Sequence, residues 1–396
     1  MATLLLVVIY ASFISLGLPD SLLGVAWPLM YPEYRAPIGF AGFITIIISG
    51  ATILSSLIST KVLRRFGTDK VTFISVVLTA AALCGISRSP SQYWLLVLAV
   101  PLGLGAGAID CGLNEYVAEH YKSRQMSWLH CFWGIGALTG PIIMSHFIGR
   151  QSSWRNGYFT VSMIQFTLAA LLLFTLPLWK KAAENEADST DTSTDGEESV
   201  QPLKRNGVVV SLLNFLFYCG VETTMGLWGS CFLVNGKGLN VATAAVWVSG
   251  FYGGITLGRF LSGFVTLKLS NQAIIRCGEL IILAGVILML LPLPGIACLF
   301  SYLMIGFGCA PIFPCMLHET PARFGKKNAQ AIMGYQMAAA YCGSTFLPPI
   351  FGWTSSARAV WLFPFFILLY IIVLLCSSER MNRLLKQKQE RIKDAA

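Results

Sequence analysis

Charge is the scarcest resource in this sequence. Only 12% of its 396 residues are Asp, Glu, Lys or Arg, against 55% hydrophobic, and the mean hydropathy is +0.66. So little charge cannot clothe a soluble globule of this length, which excludes a soluble fold. Alternation is missing as well: runs such as 281-IILAGVILMLL-291 lack the roughly ten-residue in-and-out pattern of barrel strands. Helices remain, because in lipid they satisfy their own backbone. The fold class expected is an all-α membrane protein.

Chemistry-bearing patterns are absent in turn. The sequence has no P-loop, no His-Glu metal helix and no serine nucleophile elbow, so no cofactor, no metal and no enzyme activity are expected. Its eleven cysteines lie in apolar segments, without metal or redox spacing, and read as small core residues. The segment 103-GLGAGA-108 faintly imitates a dinucleotide loop, but it sits in an apolar span with no strand before it. The apolar start 1-MATLLLVVIY-10 lacks the basic flank and cleavage site of a signal peptide and is read as the beginning of a first span. The net charge of +9 is spread in short clusters between apolar spans, which argues for topology rather than nucleic acid.

What is present is a count. Breaks at polar and turn-rich points give spans near 4–30, 40–60, 71–87, 94–118, 127–149, 157–179, 208–234, 242–266, 273–292, 296–318, 329–352 and 359–377. Each is near the ~20 residues a bilayer demands. The expected organisation is therefore a six-helix bundle over 1–179, a disordered cytoplasmic linker over 180–207, a second bundle over 208–378 and a basic cytoplasmic tail over 379–396. Alternate short loops and the tail carry twenty Lys and Arg against six on the other side, which puts both termini in the cytoplasm. The halves echo each other, with a carboxylate expected to interrupt each first span (Asp20 and Glu222) and a Gly-rich fourth span in each. Repeats with a site between them are a transporter architecture, although Gly-rich apolar helices can also resemble one another by chance.

Ionisable groups inside hydrocarbon are costly and face a bundle interior or a wet cavity. Asp20 follows Gly17 and Pro19, which weaken the helix beside it; it is either a ligand-binding carboxylate or a hydrated helix end. Asp110 and Asn114 share a face of the fourth span, and Asp110 suits either a proton carrier or a fixed hydrogen bond. Glu222 holds the corresponding place in the second half. Trp27, Asn214, Tyr218, Trp228, Tyr252, Tyr335, Gln336 and Tyr341, on broken or Gly-rich spans, are expected to supply stacking faces and amides to a polar ligand, with packing as the competing role for each. His130 and Trp133 open the fifth span, where the histidine serves as relay or as packing. His318 and Glu319 end the tenth, as part of a gate or as a solvated helix end.

The six-plus-six plan resembles the major facilitator superfamily over nearly the whole chain. The loop 61-KVLRRFGTDKV-71 is similar to that family's cytoplasmic motif, keeping Arg64, Arg65 and Gly67 but lacking its Asp, and 258-GRFLSGF-264 retains Gly258 and Arg259. Together 107-GAIDCGLNEYV-117, 129-LHCFWGIGALTGP-141, 154-WRNGYF-159, 218-YCGVETTMGLW-228, 306-GFGCAPIFP-314 and 331-AIMGYQMAAAYCGSTFLPP-349 resemble the fucose permease-like, or fucose-galactose-glucose:proton symporter, group. The resemblance implies a small-molecule substrate, a sugar, carried with a proton or with sodium by a monomer in a bacterial plasma membrane. It also implies that Asp20 serves sugar recognition or gating and, with Asp110, proton coupling, that Asp110 serves proton translocation, and that His130 stands where the group has an amide. Efflux of amphipathic compounds and a non-transporting sensor are the alternatives that this architecture leaves open.

Overall fold

The computed structural model describes the chain except for residues 1, 122, 151–152, 185–206, 266–267, 294, 355–358 and 395–396. The helices are α1 (Ala2–Asp20), α2 (Leu22–Glu33), α3 (Phe40–Phe66), α4 (Thr68–Ser87), α5 (Gln92–His120), α6 (Ser123–Gly149) and α7 (Trp154–Glu184), then α8 (Val208–Cys231), α9 (Val241–Val265), α10 (Asn271–Leu290), α11 (Ile296–His318), the short α12 (Thr320–Phe324), α13 (Lys326–Thr354) and α14 (Phe363–Asp394). With α1 and α2 counted as one bent span, eleven among the described residues are long and apolar enough to cross a membrane. The twelfth span is α13, whose 29 residues include Lys326, Lys327 and Gln336 and therefore dilute its hydropathy. Its packing against α8 and α3 places it within the helical array.

The twelve spans form two six-helix bundles with the same internal pairings. In the first, α1 packs on α6 and α7, α3 on α5, and α4 on α5 and α7. In the second, α8 packs on α13 and α14, α9 on α11, and α10 on α11 and α14. The repeat read from the sequence is thus a repeat of contacts, in which span for span the same neighbours meet. The bundles touch through α6 against α9, α3 against α13, and α2 against α8 and α9.

Two proline-freed carbonyls locate the first span. Pro19 has no N–H to give the Ser15 carbonyl one turn back, and Gln165 Nε2 from α7 donates to that oxygen at 2.8 Å. Pro141 in α6 likewise leaves the Ala137 carbonyl without its helical donor, and Ser21 Oγ, at the bend between α1 and α2, donates to it at 2.9 Å. Both repairs are buried, and in lipid each unpaired group would cost several kcal/mol. They hold the bend of the first span against α6 and α7, so Asp20 is presented at a fixed place.

The end of the molecule opposite the termini is closed by close backbone approach. A methyl group at Gly24 would collide with the Gly226 carbonyl, and one at Gly39 would stand 2.5 Å from the Gly352 carbonyl. Ser145 Oγ donates to the Ala242 carbonyl at 2.9 Å across the same seam. Nearby, Arg155 Nη2 donates to Glu33 Oε1 at 2.6 Å, and Trp154 Nε1 donates to Glu33 Oε2 at 2.5 Å. This clamp gives 154-WRNGYF-159 its role, which is to fasten the end of α2 to α7.

Three expectations need correction. Glu222 does not interrupt its span: α8 is continuous to Cys231 and is followed by a π-turn over Phe232–Gly236, because unlike α1 it contains no proline. Helix α7 runs on to Glu184, beyond the expected boundary at 179, and the rest of the expected linker to 206 lies outside the described residues. The tail is not a separate element, since α14 continues as helix to Asp394. Arg259 lies within α9, inside the span expected over 242–266. The α3–α4 motif does make a loop: Gly67 adopts φ +85° between the two helices, a conformation that a β-carbon would strain, and Arg65 is exposed beside it.

If the proline repair is as described, Ser21→Ala should destabilise the purified protein by about 1–3 kcal/mol, the cost of a buried unpaired carbonyl. In a Pro141→Ala background, which restores the backbone N–H, the same change should cost much less. Thermal unfolding of the four proteins of the cycle checks this, and equal costs in both backgrounds would refute the pairing.

Candidate functional site

Between the bundles lies a cavity of about 240 Å³. Its polar wall is drawn from both halves: Asp20, Thr45, Ser49, Trp133 and Tyr158 from the first bundle, and Glu222, Thr223, Tyr252 and Ser344 from the second. These come from α1, α3, α6 and α7 and from α8, α9 and α13.

The geometry centres on Trp133. Its indole Nε1 donates to Asp20 Oδ2 at 2.8 Å. The Arg259 guanidinium lies over its ring at 5.1 Å from the centroid, within the ~6 Å reach of a cation–π contact, and Tyr252 meets it edge-on at 6.5 Å. Arg259 also pairs with Glu222 at 3.7 Å, both side chains being 17% exposed. At that distance the pair is loose, without the bidentate geometry that makes Arg–carboxylate contacts strong. One aromatic ring thus joins a carboxylate of the first bundle to an arginine of the second. A ligand hydroxyl could enter the Asp20–Trp133 bond or the Glu222–Arg259 gap without displacing a tight ion pair.

Asp110 lies deeper in α5. Asn114 Nδ2 donates both to its carbonyl and to its Oδ1, each at 2.9 Å. Tyr341 of α13, hydrogen-bonded with Ser56 of α3, lies within electrostatic reach of Asp110, so this carboxylate too stands near the bundle interface. His130 stays exposed, is edge-on to Phe13 at 5.9 Å and is in electrostatic reach of Arg259.

The structure therefore gathers Asp20, Glu222 and Tyr252 at the cavity, with Arg259 beside them, and leaves other expected contacts elsewhere. Trp27 is fully buried and its Nε1 donates to the Ile38 carbonyl at 2.7 Å; Trp228 is buried likewise and donates to the Pro348 carbonyl at 2.7 Å. Their donors are spent on backbone, so both are corrected to packing residues that brace α2 and α13. Asn214 is buried against Ser377, and Gln336 bridges Thr320 and Ser211 at 2.9 and 2.7 Å, so these amides join helices within the second bundle. Tyr218 packs beside Phe313 in that bundle's core, its ring 5.8 Å away. Tyr335 is exposed on α13, away from the cavity wall. Asn114 is occupied by Asp110, a fixed partner in place of a ligand. At the end of α11, Glu319 accepts from Asn271 at 2.9 Å and from Arg323 at 3.4 Å, which makes it a helix-joining group within one bundle.

Sequence reading missed the role of Trp133 as the hub, the cavity hydroxyls of Thr223 and Ser344, and the inward position of Arg259. The last had a visible signal: a lone arginine in the apolar run 241–265 must face protein or water rather than lipid.

Two six-helix bundles with a cavity at their interface that takes polar groups from both define a carrier-type membrane protein. The Major Facilitator Superfamily model matches residues 9–317, and the chain belongs to that family of multi-pass membrane transporters. It is similar to the glucose/mannose transporter GlcP of Bacillus subtilis, 24% identical over 353 residues that cover 87% of this chain and 86% of that one. It is also similar to the cis,cis-muconate transport protein of Acinetobacter baylyi, 26% identical over 223 residues, 52% of each chain. Among solved structures, the nucleoside transporter NupG superposes with a TM-score of 0.75 at 15% identity, covering 94% of this chain and 98% of that one. The D-xylose-proton symporter gives a TM-score of 0.73 at 15% identity, covering 95% and 96%. A bacterial homolog of the lysosomal transporter Spinster, in an inward-facing and occupied conformation, gives 0.74 at 12% identity, covering 97% of each. These structural likenesses establish the fold.

If Trp133 positions Asp20 for a ligand, Trp133→Phe removes the donor but keeps a ring for Arg259. It should weaken ligand binding about tenfold, the loss of one hydrogen bond to a charged group. Trp133→Ala, which also removes the cation–π surface, should cost more. Calorimetric Kd values check both, and unchanged values for Trp133→Phe would detach the indole N–H from binding.

Proposed function

We propose that this protein imports a monosaccharide or related polyol together with a proton, by alternating access. The observation that carries the reading is the Asp20–Trp133–Arg259–Glu222 chain at the bundle interface, where carboxylates and an aromatic face meet as a sugar ring requires. The similarity to a glucose/mannose transporter over 87% of the chain supports the substrate class.

In the proposed cycle Asp110 takes a proton, the sugar binds between Asp20 and Glu222, the bundles rock, and release of both to the other side resets the carrier. With both termini cytoplasmic, as the Lys and Arg distribution favours, the closed seam faces outward and the arrangement is inward-facing. The site is that of a monomer in the plasma membrane. A second reading, efflux of amphipathic compounds, draws support from the apolar part of the cavity wall, which includes Ile44, Leu95 and Leu102; it predicts outward movement of substrate.

The test is external pH in a lightly buffered suspension of de-energised cells expressing the protein, after addition of fucose, galactose or glucose. Alkalinisation above that of empty-vector cells is expected with one of them, and no pH change with any sugar at confirmed surface expression would refute proton symport. Asp110→Asn should keep sugar counterflow yet lose pH-driven accumulation. Equal accumulation in variant and parent would remove Asp110 from coupling.

A further inference from the structure

On the outer face of the second bundle, α10 and α14 both turn from apolar to basic towards the end that carries the termini. In α14 the exposed residues Phe365, Leu369, Ile372 and Cys376 recur every three or four positions, which makes them one stripe of the helix. The stripe continues as Arg380 and Arg383, also exposed. Helix α10 runs the other way, and its exposed Leu291, Ile287 and Leu280 lead back to an exposed Arg276.

Where the basic ends meet, a cleft of about 390 Å³ opens between the start of α10 and the end of α14, with Gln272, Arg276, Glu379, Asn382, Arg383 and Lys386 in its wall. It adjoins a second depression along α14 that shares Glu379 and Arg383 and reaches the apolar Leu375 and Cys376. Arg276 grips Glu379 in a bidentate pair, Nε donating to Oε1 at 2.6 Å and Nη2 to Oε2 at 2.5 Å. That pair joins the two helices and neutralises the carboxylate in the wall. Glu279, one turn further along α10, is fully buried and lines neither hollow. Arg383 and Lys386 remain in excess, exposed and in no ion pair among the described residues.

The apolar runs of these helices cover 271–290 and 360–387, so the cleft lies where the hydrocarbon layer ends. It is positive at the depth of lipid head groups and continuous with an apolar stripe at the depth of the chains. A soluble anion would use the first property alone, whereas an anionic lipid uses both. Basic pockets between spans hold such head groups.

We infer that this cleft binds the phosphate-bearing head group of an anionic membrane lipid, with Arg383 and Lys386 as its charge partners and an acyl chain along Cys376, Ile372 and Leu369. The site belongs to the second bundle alone and does not depend on what the carrier transports. Each basic side chain near an anionic lipid surface contributes about fivefold in affinity, so the two together contribute about 25-fold.

The experiment titrates the purified full-length protein, in a nonionic detergent, with phosphatidylglycerol or phosphatidylcholine of identical acyl chains, and follows the first lipid bound by native mass spectrometry. The parent is expected to bind phosphatidylglycerol about 25-fold more tightly. Arg383→Gln with Lys386→Gln should bring the ratio of the two affinities close to one. Lys61→Gln with Lys70→Gln removes the same charge from exposed positions at the α3–α4 turn, on the same side of the molecule, and should leave the ratio unchanged. Because the readout is a ratio, a general loss of folded protein does not imitate it. Equal affinity of the parent for both lipids, or the same loss in both double variants, would overturn the inference. Glycerol phosphate that competes as strongly as the lipid would make this a site for a soluble phosphate and overturn the lipid assignment.

Discussion

Within a bilayer no backbone carbonyl can turn to water, and this constraint fixes the placement of the first span. Pro19 and Pro141 each withdraw one donor, and each vacancy is filled from a neighbouring helix, by Gln165 and by Ser21. The second repair is reciprocal in effect: the proline in α6 is satisfied by the residue next to Asp20, and Trp133, two turns earlier in α6, holds the Asp20 carboxylate. Proline, serine, aspartate and tryptophan thus form one arrangement, in which the helix bend that exposes the carboxylate is stabilised by the helix that binds it. The second half lacks such a bend. There Glu222 reaches the cavity from an unbroken helix, with Arg259 as its counter-charge.

The two halves therefore solve the same problem differently. In the first, an exposed carboxylate on the cavity wall is held by an indole N–H, which restrains its direction without neutralising it. In the second, a carboxylate is held by a guanidinium at a loose 3.7 Å, which offsets charge without fixing direction. The ring of Trp133 lies between them and belongs to both, so the interface couples a directional contact to an electrostatic one.

The fold was legible because its signals are long. Span length, the six-plus-six count and the Lys and Arg asymmetry each integrate over many residues, and a single misplaced boundary changes none of them. The site was legible only where cost forced the issue. Asp20 and Glu222 could be singled out because a carboxylate in an apolar span demands explanation, and both line the cavity. Aromatic and amide residues carry no such demand. Trp27 and Trp228 look as suited to a sugar as Trp133 does, and only tertiary contacts show that their N–H groups close backbone carbonyls in their own neighbourhoods. Arg259 was placed inside its span from the sequence, and its pairing with Glu222 and its position over Trp133 emerge only from tertiary contacts. The expected break at Glu222 failed because the analogy with Asp20 transferred the acid but not the proline that bends the helix.

The closed seam opposite the termini is built largely from main chain against main chain, at Gly24 with Gly226 and at Gly39 with Gly352. Such a joint is held by dispersion over a small, well-fitted area, with few bonds that must break at once. Dispersion falls off within an ångström of separation, so the joint resists strongly while shut and offers little resistance once parted. The seam accordingly behaves as a catch rather than a spring: its force is short-ranged, and the energy needed to part it is set by how closely glycine lets the helices meet.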